Sequence, residues 1–298
     1  MAKIIWEIYA MVINVHADEI DRVSNPDVLF VLLHAFGRTP RDLNRVAELV
    51  RGLYPRSDIY TPTLPLRWWS CTTPGSIARK IATSIDHLDS HSRSGGQQSG
   101  YREIILIGHS AGATLARSAF SLATLLRLEC SSGVHEWTTR TTRIILLAAM
   151  SRGWQISSAL NPMQRFTWSL GAGIGHLVRL FSDRELFFMG LRRGSPFLTG
   201  ARLQWLHIAR HLSPQELPIT VQILGTDDDY VAPTDNVDLA ADSSFFYLEV
   251  PHATHRNIVE FDEIQGGDAI KSCLITTLTQ DRSILKQESI RKEDVFEV

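Results

Sequence analysis

The sequence predicts a doubly wound, mainly parallel α/β sheet interrupted by a helical cap. Three observations carry that prediction. First, Asp27–Leu33, Ile104–Ile107, Arg143–Ala149, Ile219–Leu224 and Ser244–Val250 are short apolar runs separated by stretches with helical spacing. Apolar runs of this length suit parallel strands buried on both faces, and their alternation with helices implies a doubly wound sheet. Second, one run leads directly into Gly108-His109-Ser110-Ala111-Gly112, and an alanine- and leucine-rich stretch then continues to about Leu128. Third, the connection between Ala149 and Ile219 is too long for a plain crossover and is rich in large apolar side chains.

Taken in order, the chain opens with an apolar stretch, Lys3–Val15, that contains Glu7 and lacks a small-residue cleavage site. It is shorter than the roughly 20 residues of a spanning helix, so it reads as a first strand or helix on the core. A cytoplasmic protein without a transmembrane segment is expected, with peripheral membrane contact as the alternative. The run Asp27–Leu33 predicts a central strand, and His34-Ala35-Phe36-Gly37 a tight loop before a helix from about Pro40 to Leu53. Ser57–Pro62 reads as a short strand stopped by proline. Thr61–Gly75 is a loop carrying Trp68 and Trp69. Ser76–Leu88 places Ile77, Ile81, Ile85 and Leu88 on one helical face. His91–Gly100 and Ser131–Thr142 read as polar loops.

The span 151–216 is expected to form the cap over strand ends, and residues 1–150 with 217–280 the core. Gly171-Ala172-Gly173-Ile174-Gly175 inside the cap marks a bend or a close helix contact, because no buried strand precedes it as a dinucleotide loop requires. Asp268–Leu278 is the last expected helix, and 281–298 a charged tail. Across its 298 residues, a net charge of −2 gives no reason to expect nucleic acid as a partner. Cys71, Cys130 and Cys273 fit reduced core thiols rather than a disulfide framework. The oligomeric state is left open.

The chemistry centres on Ser110. A strand, Gly-x-Ser-x-Gly, then a helix holds the serine at the tip of a sharp turn. The amide of Ala111 opens the helix, where the dipole favours a developing oxyanion. A serine hydroxyl needs a base to take its proton and a carboxylate to orient that base. Histidines and aspartates follow two later strand ends, in Gly225-Thr226-Asp227-Asp228-Asp229-Tyr230-Val231 and Pro251-His252-Ala253-Thr254-His255. Ligand sites in such sheets lie beyond the carboxyl ends of the strands, so these loops should meet Ser110.

With the elbow, the His-Ala-Phe-Gly loop and these two motifs, the chain from about Asp27 to Leu278 resembles an α/β-hydrolase of the esterase/lipase type. The resemblance implies Ser110 as nucleophile. It implies Asp228 as acid, three residues after the strand-end glycine and three before a valine. It implies His255 as base, a few residues past the last strand. The family's His-Gly-x oxyanion loop has alanine in place of glycine here, and by position the amides of Phe36 and Ala111 are the donors. His34, His109, Trp154, Phe187 and His252 are the expected pocket residues. No metal or organic cofactor is required. The expected substrate is a small-molecule ester with an apolar acyl or alcohol group. Thioester, amide or carbon–carbon bond hydrolysis, acyl transfer, and a catalytically silent binding protein are the alternatives.

Overall fold

The computed structural model describes residues 19–94, 100–130, 133–154, 168–173, 175–176, 185–230, 245–262 and 264–290. Lys3–Val15, much of the expected cap and the end of the tail lie outside these residues. The strands are β1 (Ile20–Asp21), β2 (Val28–Leu33), β3 (Ser57–Tyr60), β4 (Glu103–His109), β5 (Thr141–Leu147), β6 (Ile219–Gly225) and β7 (Phe245–Val250). They form a sheet in the order β1-β3-β2-β4-β5-β6-β7. Among the described residues only β1, two residues long and beside β3, runs antiparallel. The apolar runs anticipated as buried strands are the five central and right-hand strands, and β2 is buried along its whole length.

Residues alternate between two cores. Leu29, Val31 and Leu33 of β2 face α2 (Pro74–Ser94) and α3 (Ala111–Glu129), where Ile77, Ile81, Ile85, Leu115 and Phe120 pack. Val28, Phe30 and Leu32 face the other way, toward Val46 and Val50 of α1 (Asn44–Leu53) and Ile270, Leu274 and Leu278 of α6 (Gly267–Thr279). A period-two strand with both faces covered must be apolar at every position, as these runs are. Helix α3 is buried for most of its length. Its Ser118 and Ser121 are accommodated there because their hydroxyls donate to the carbonyls of Thr114 and Arg117, each one turn back.

Four expectations about the fold need correction. Pro196–His211 (α5, after the short α4, Phe187–Gly190) is not part of a cap. It packs on α3, and Trp205 sits 6.2 Å from the Phe120 ring and 6.0 Å from the Phe245 ring of β7. The reason is topological: parallel β5 and β6 need a crossover helix, and the span 151–216 contains that helix as well as any insertion. The stretch read as a polar loop before β5 contains a 3-10 turn, Glu136–Arg140, with Trp137 fully buried. Arg140 grips both carboxylate oxygens of buried Asp89 at 2.8 and 2.6 Å. The start of the charged tail forms α7 (Arg282–Glu288), capped by the Asp281 carboxylate and anchored by Leu285 in the core. Ser289 Oγ then accepts the Tyr247 amide, and the Ile290 amide donates to the Tyr247 carbonyl, along the outer side of β7. The three thiols are free, but Cys130 is exposed rather than a core residue. No helix among the described residues is long and apolar enough to cross a membrane.

Candidate active site

β4 lies at the centre of the sheet and delivers Ser110 at its carboxyl end. The Ser110 amide still bonds to the Leu147 carbonyl of β5 at 2.8 Å, so the turn begins without a gap in the ladder. Ser110 itself adopts φ 54° and ψ −115°, a conformation that costs a non-glycine residue on the order of 1–3 kcal/mol. The two flanking glycines make the turn sterically feasible. A Cβ at Gly108 would lie 2.4 Å from the Ala113 Cα, and one at Gly112 would lie 2.2 Å from the Leu33 carbonyl oxygen.

Two more strand ends bring the remaining groups to Ser110. Asp228 follows β6, and its carboxylate is almost fully buried. One oxygen accepts the Tyr230 amide at 2.9 Å, and the other lies 2.9 Å from His255 Nδ1. His255 follows β7, and its Nε2 lies 2.8 Å from Ser110 Oγ. With Nδ1–H donating to Asp228, Nε2 is left as the acceptor facing the serine hydroxyl. An imidazole held this way can receive the hydroxyl proton as the oxygen attacks an electrophile. Asp227 and Asp229 are exposed, and Asp227 accepts the Thr226 hydroxyl and faces the ring of His252.

A cavity of about 890 Å³ opens over Ser110 and His255. Phe36, Trp68, Met150, Trp168 and Tyr230 form its apolar surfaces, and Arg38, Asp227, Asp229 and Arg256 its charged ones. Phe36 and Trp68 meet edge to face at 5.0 Å, and Trp68 continues to Trp168 at 5.4 Å. A Cβ at Gly171 would lie 3.0 Å from the Trp68 ring and one at Gly175 2.7 Å from the Met189 side chain. Phe36 lines this cavity, and Ala111 directly follows Ser110 as a fully buried residue. Ala111 is the first residue of α3 and so has no intrahelical acceptor. Neither the Phe36 nor the Ala111 amide is bonded to another group among the described residues.

Of the expected pocket residues, His109 lines the cavity and four do not. His34 is buried beside it. The Ala35 carbonyl can only accept, so His34 Nδ1–H donates to it at 2.9 Å, and Nε2 accepts the Leu64 amide at 2.9 Å. This pair of bonds fixes the loop that carries Phe36. Burial lowers the His34 pKa below its ordinary value, consistent with that neutral tautomer. Phe187 is fully buried and stacks 6.0 Å behind Phe36. Trp154 is buried too, its indole N–H donating to the Phe188 carbonyl. Both belong to a second aromatic layer, because a wall of large rings needs its own packing behind it. His252 is largely exposed at φ 61° and lies 3.4 Å from Asp227. The residues missed were Met150 and Tyr230, each just beyond a strand end, together with Trp68 as a wall residue; Trp168 is one of the large apolar groups of the 151–216 span. The strand-end rule could have found the first two.

A search of curated protein sequences found no match to the chain. Among solved structures it is similar to esterase B of Lactobacillus rhamnosis, with TM-score 0.55, 15% identity, and 96% of this chain and 92% of that chain covered. It is also similar to carboxyl esterase 2 of the mycorrhizal fungus Tuber melanosporum, with TM-score 0.53, 14% identity, and coverage of 87% and 79%. An extracellular alpha/beta-hydrolase from a Paenibacillus species gives TM-score 0.50, 14% identity, and coverage of 85% and 100%. At these identities the likeness speaks for the fold. The alpha/beta hydrolase family model matches residues 30–263, from the second residue pair of β2 to beyond the His255 loop, and the chain belongs to that family of hydrolases.

Proposed function

We propose that the protein hydrolyses carboxylic esters with an apolar acyl or alcohol group through a Ser110–His255–Asp228 triad. The observation that carries this reading is the unbroken hydrogen-bond chain from Asp228 through His255 to Ser110 at the floor of an aromatic-walled cavity. His255 takes the proton from Ser110 Oγ as the oxygen attacks the acyl carbon. The Phe36 and Ala111 amides hold the developing oxyanion at the start of α3, where the helix dipole adds to their effect. His255 returns the proton to the leaving alcohol, leaving an acyl-serine. Water, deprotonated by the same imidazole, then releases the acid. Phe36, Trp68 and Trp168 collect the apolar group of the substrate.

The test is Ser110→Ala. The purified variant should fold as the wild type does and lose both covalent labelling by a fluorophosphonate and turnover of activated esters. Wild-type ester turnover by folded Ser110→Ala would overturn the reading.

A further inference from the structure

His109 stands outside the proposed triad, yet it is tied to the base. It is the last residue of β4, buried, and its Nε2 lies 2.7 Å from the backbone carbonyl oxygen of His255. We propose that His109 is a positioning residue that fixes His255 by holding the main chain of its loop. This rests on the triad reading above. His255 would then be located at two points, its ring by Asp228 and its backbone by His109.

Three observations support the tether. His255 lies on an irregular stretch between β7 and the 3-10 turn Asn257–Val259, with His252 at positive φ. Such a loop locates a side chain less sharply than a strand does, and His109 lends it the position of the central strand. Second, the carbonyl can only accept, so His109 must carry its proton on Nε2. Its Nδ1 is then a bare, buried acceptor without a partner among the described residues. An apolar residue would fill the space without that cost, so the Nε2–H bond is the feature that distinguishes histidine here. Third, the two rings are 5.4 Å apart. A lysine or arginine donor would set a cation against the imidazolium that forms on His255. Burial first, and then the neighbouring His255, push the His109 pKa down to about 3, with Arg38 and Asp42 the other charged groups acting on it. His109 therefore donates without competing for the proton.

The test compares His109→Met, which removes the donor, with His109→Gln, whose amide nitrogen is the same number of bonds from the backbone as Nε2. Active sites are counted by fluorophosphonate titration so that rates refer to competent protein. His109→Met should lower kcat and the phosphonylation rate together, on the order of 10- to 100-fold, with KM little changed, because the base is displaced while the cavity is kept. His109→Gln should recover most of that loss. Wild-type kcat per titrated site in His109→Met, or failure of glutamine to improve on methionine, would overturn the tether. If His109→Met does not fold, histidine nitrogen NMR of the wild type decides. His109 should be the Nε2–H tautomer at pH 8, where the ring is neutral, and an Nδ1–H tautomer would overturn the proposal because the carbonyl of His255 would then face no donor. A wild-type protein that is not labelled at Ser110 at all would refute the triad reading itself and the tether with it.

Discussion

Asp228→Asn tests the acid assignment and the orientation logic together. Asparagine fits the same space, so the fold should survive. The Tyr230 amide donates to Asp228 Oδ1. That bond selects the amide orientation: asparagine must turn its oxygen toward Tyr230 and its NH2 toward His255 Nδ1. His255 then becomes an Nε2–H tautomer that points a donor at Ser110 and cannot take its proton. The opposite flip preserves the productive tautomer but sets NH2 against the Tyr230 N–H, which costs about 1–3 kcal/mol. In that state the charge that steadied the imidazolium is also missing. At about 4 Å and an effective dielectric near 20, that charge contributes roughly 4 kcal/mol. The sum, about 5–7 kcal/mol, corresponds to a kcat loss on the order of 10⁴ to 10⁵, the lower end being the scale seen when a triad carboxylate is made an amide. The assay is kcat for a short activated ester, with Asp227→Asn and Asp229→Asn in parallel. Both control side chains are exposed, and neither should lose more than a few-fold. A loss below 10-fold in Asp228→Asn, or a larger loss in either control, would refute the reasoning.

Other expectations concern the walls and the supports of the site. Trp68→Ala should lower kcat/KM for long or aromatic esters about 10-fold while sparing acetyl esters, since each buried methylene is worth about 0.8 kcal/mol only where a wall collects it; an unchanged chain-length profile would count against the cavity as the acyl site. Gly112→Ala should destabilise by about 3 kcal/mol, read as a lower denaturant midpoint, because its methyl would meet a backbone oxygen at 2.2 Å; an unchanged midpoint would contradict the packing. His109 has an ordinary pKa of 6.5 lowered to about 3 in the fold. Between these values the unfolded chain binds the extra proton, so stability falls as pH falls, by about 1.4 kcal/mol per pH unit for that residue once below 6.5. Urea titrations at pH 7 and pH 5 should show a smaller pH dependence in His109→Gln than in the wild type, and equal slopes would contradict the buried neutral histidine.

The sequence made the sheet legible because β2, β4, β5, β6 and β7 are buried on both faces and so leave continuous apolar runs. The site was legible for the same reason, since groups just past those runs must gather at one edge. Asp228 and His255 meet Ser110 there although Asp227, Asp229 and His252 offered the same chemistry nearby. What separates them is burial, a tertiary property that local spacing reports only through the family resemblance. The pocket walls were less legible. Trp154 and Phe187 have the size of wall residues, yet Phe36 and Trp168 stand in front of them. Composition cannot rank the layers of an aromatic cluster. The cap boundary failed because a crossover helix and an insertion carry the same apolar signature. α7 was missed because one buried leucine is too little periodicity to set against its charges.

The last described residues give the sheet a protected margin. An outermost strand displays unpaired amides and carbonyls that can recruit a strand from another molecule. On the β7 side, Ser289 and Ile290 occupy both polar groups of Tyr247. On the far side, the last strand among the described residues, β1, is two residues long. An intruding strand would have to displace the α7 anchor before it could extend the sheet at Tyr247. The short segment that follows α7 therefore guards against intermolecular β-pairing beside the very strand that leads to His255, linking resistance to aggregation with the integrity of the site.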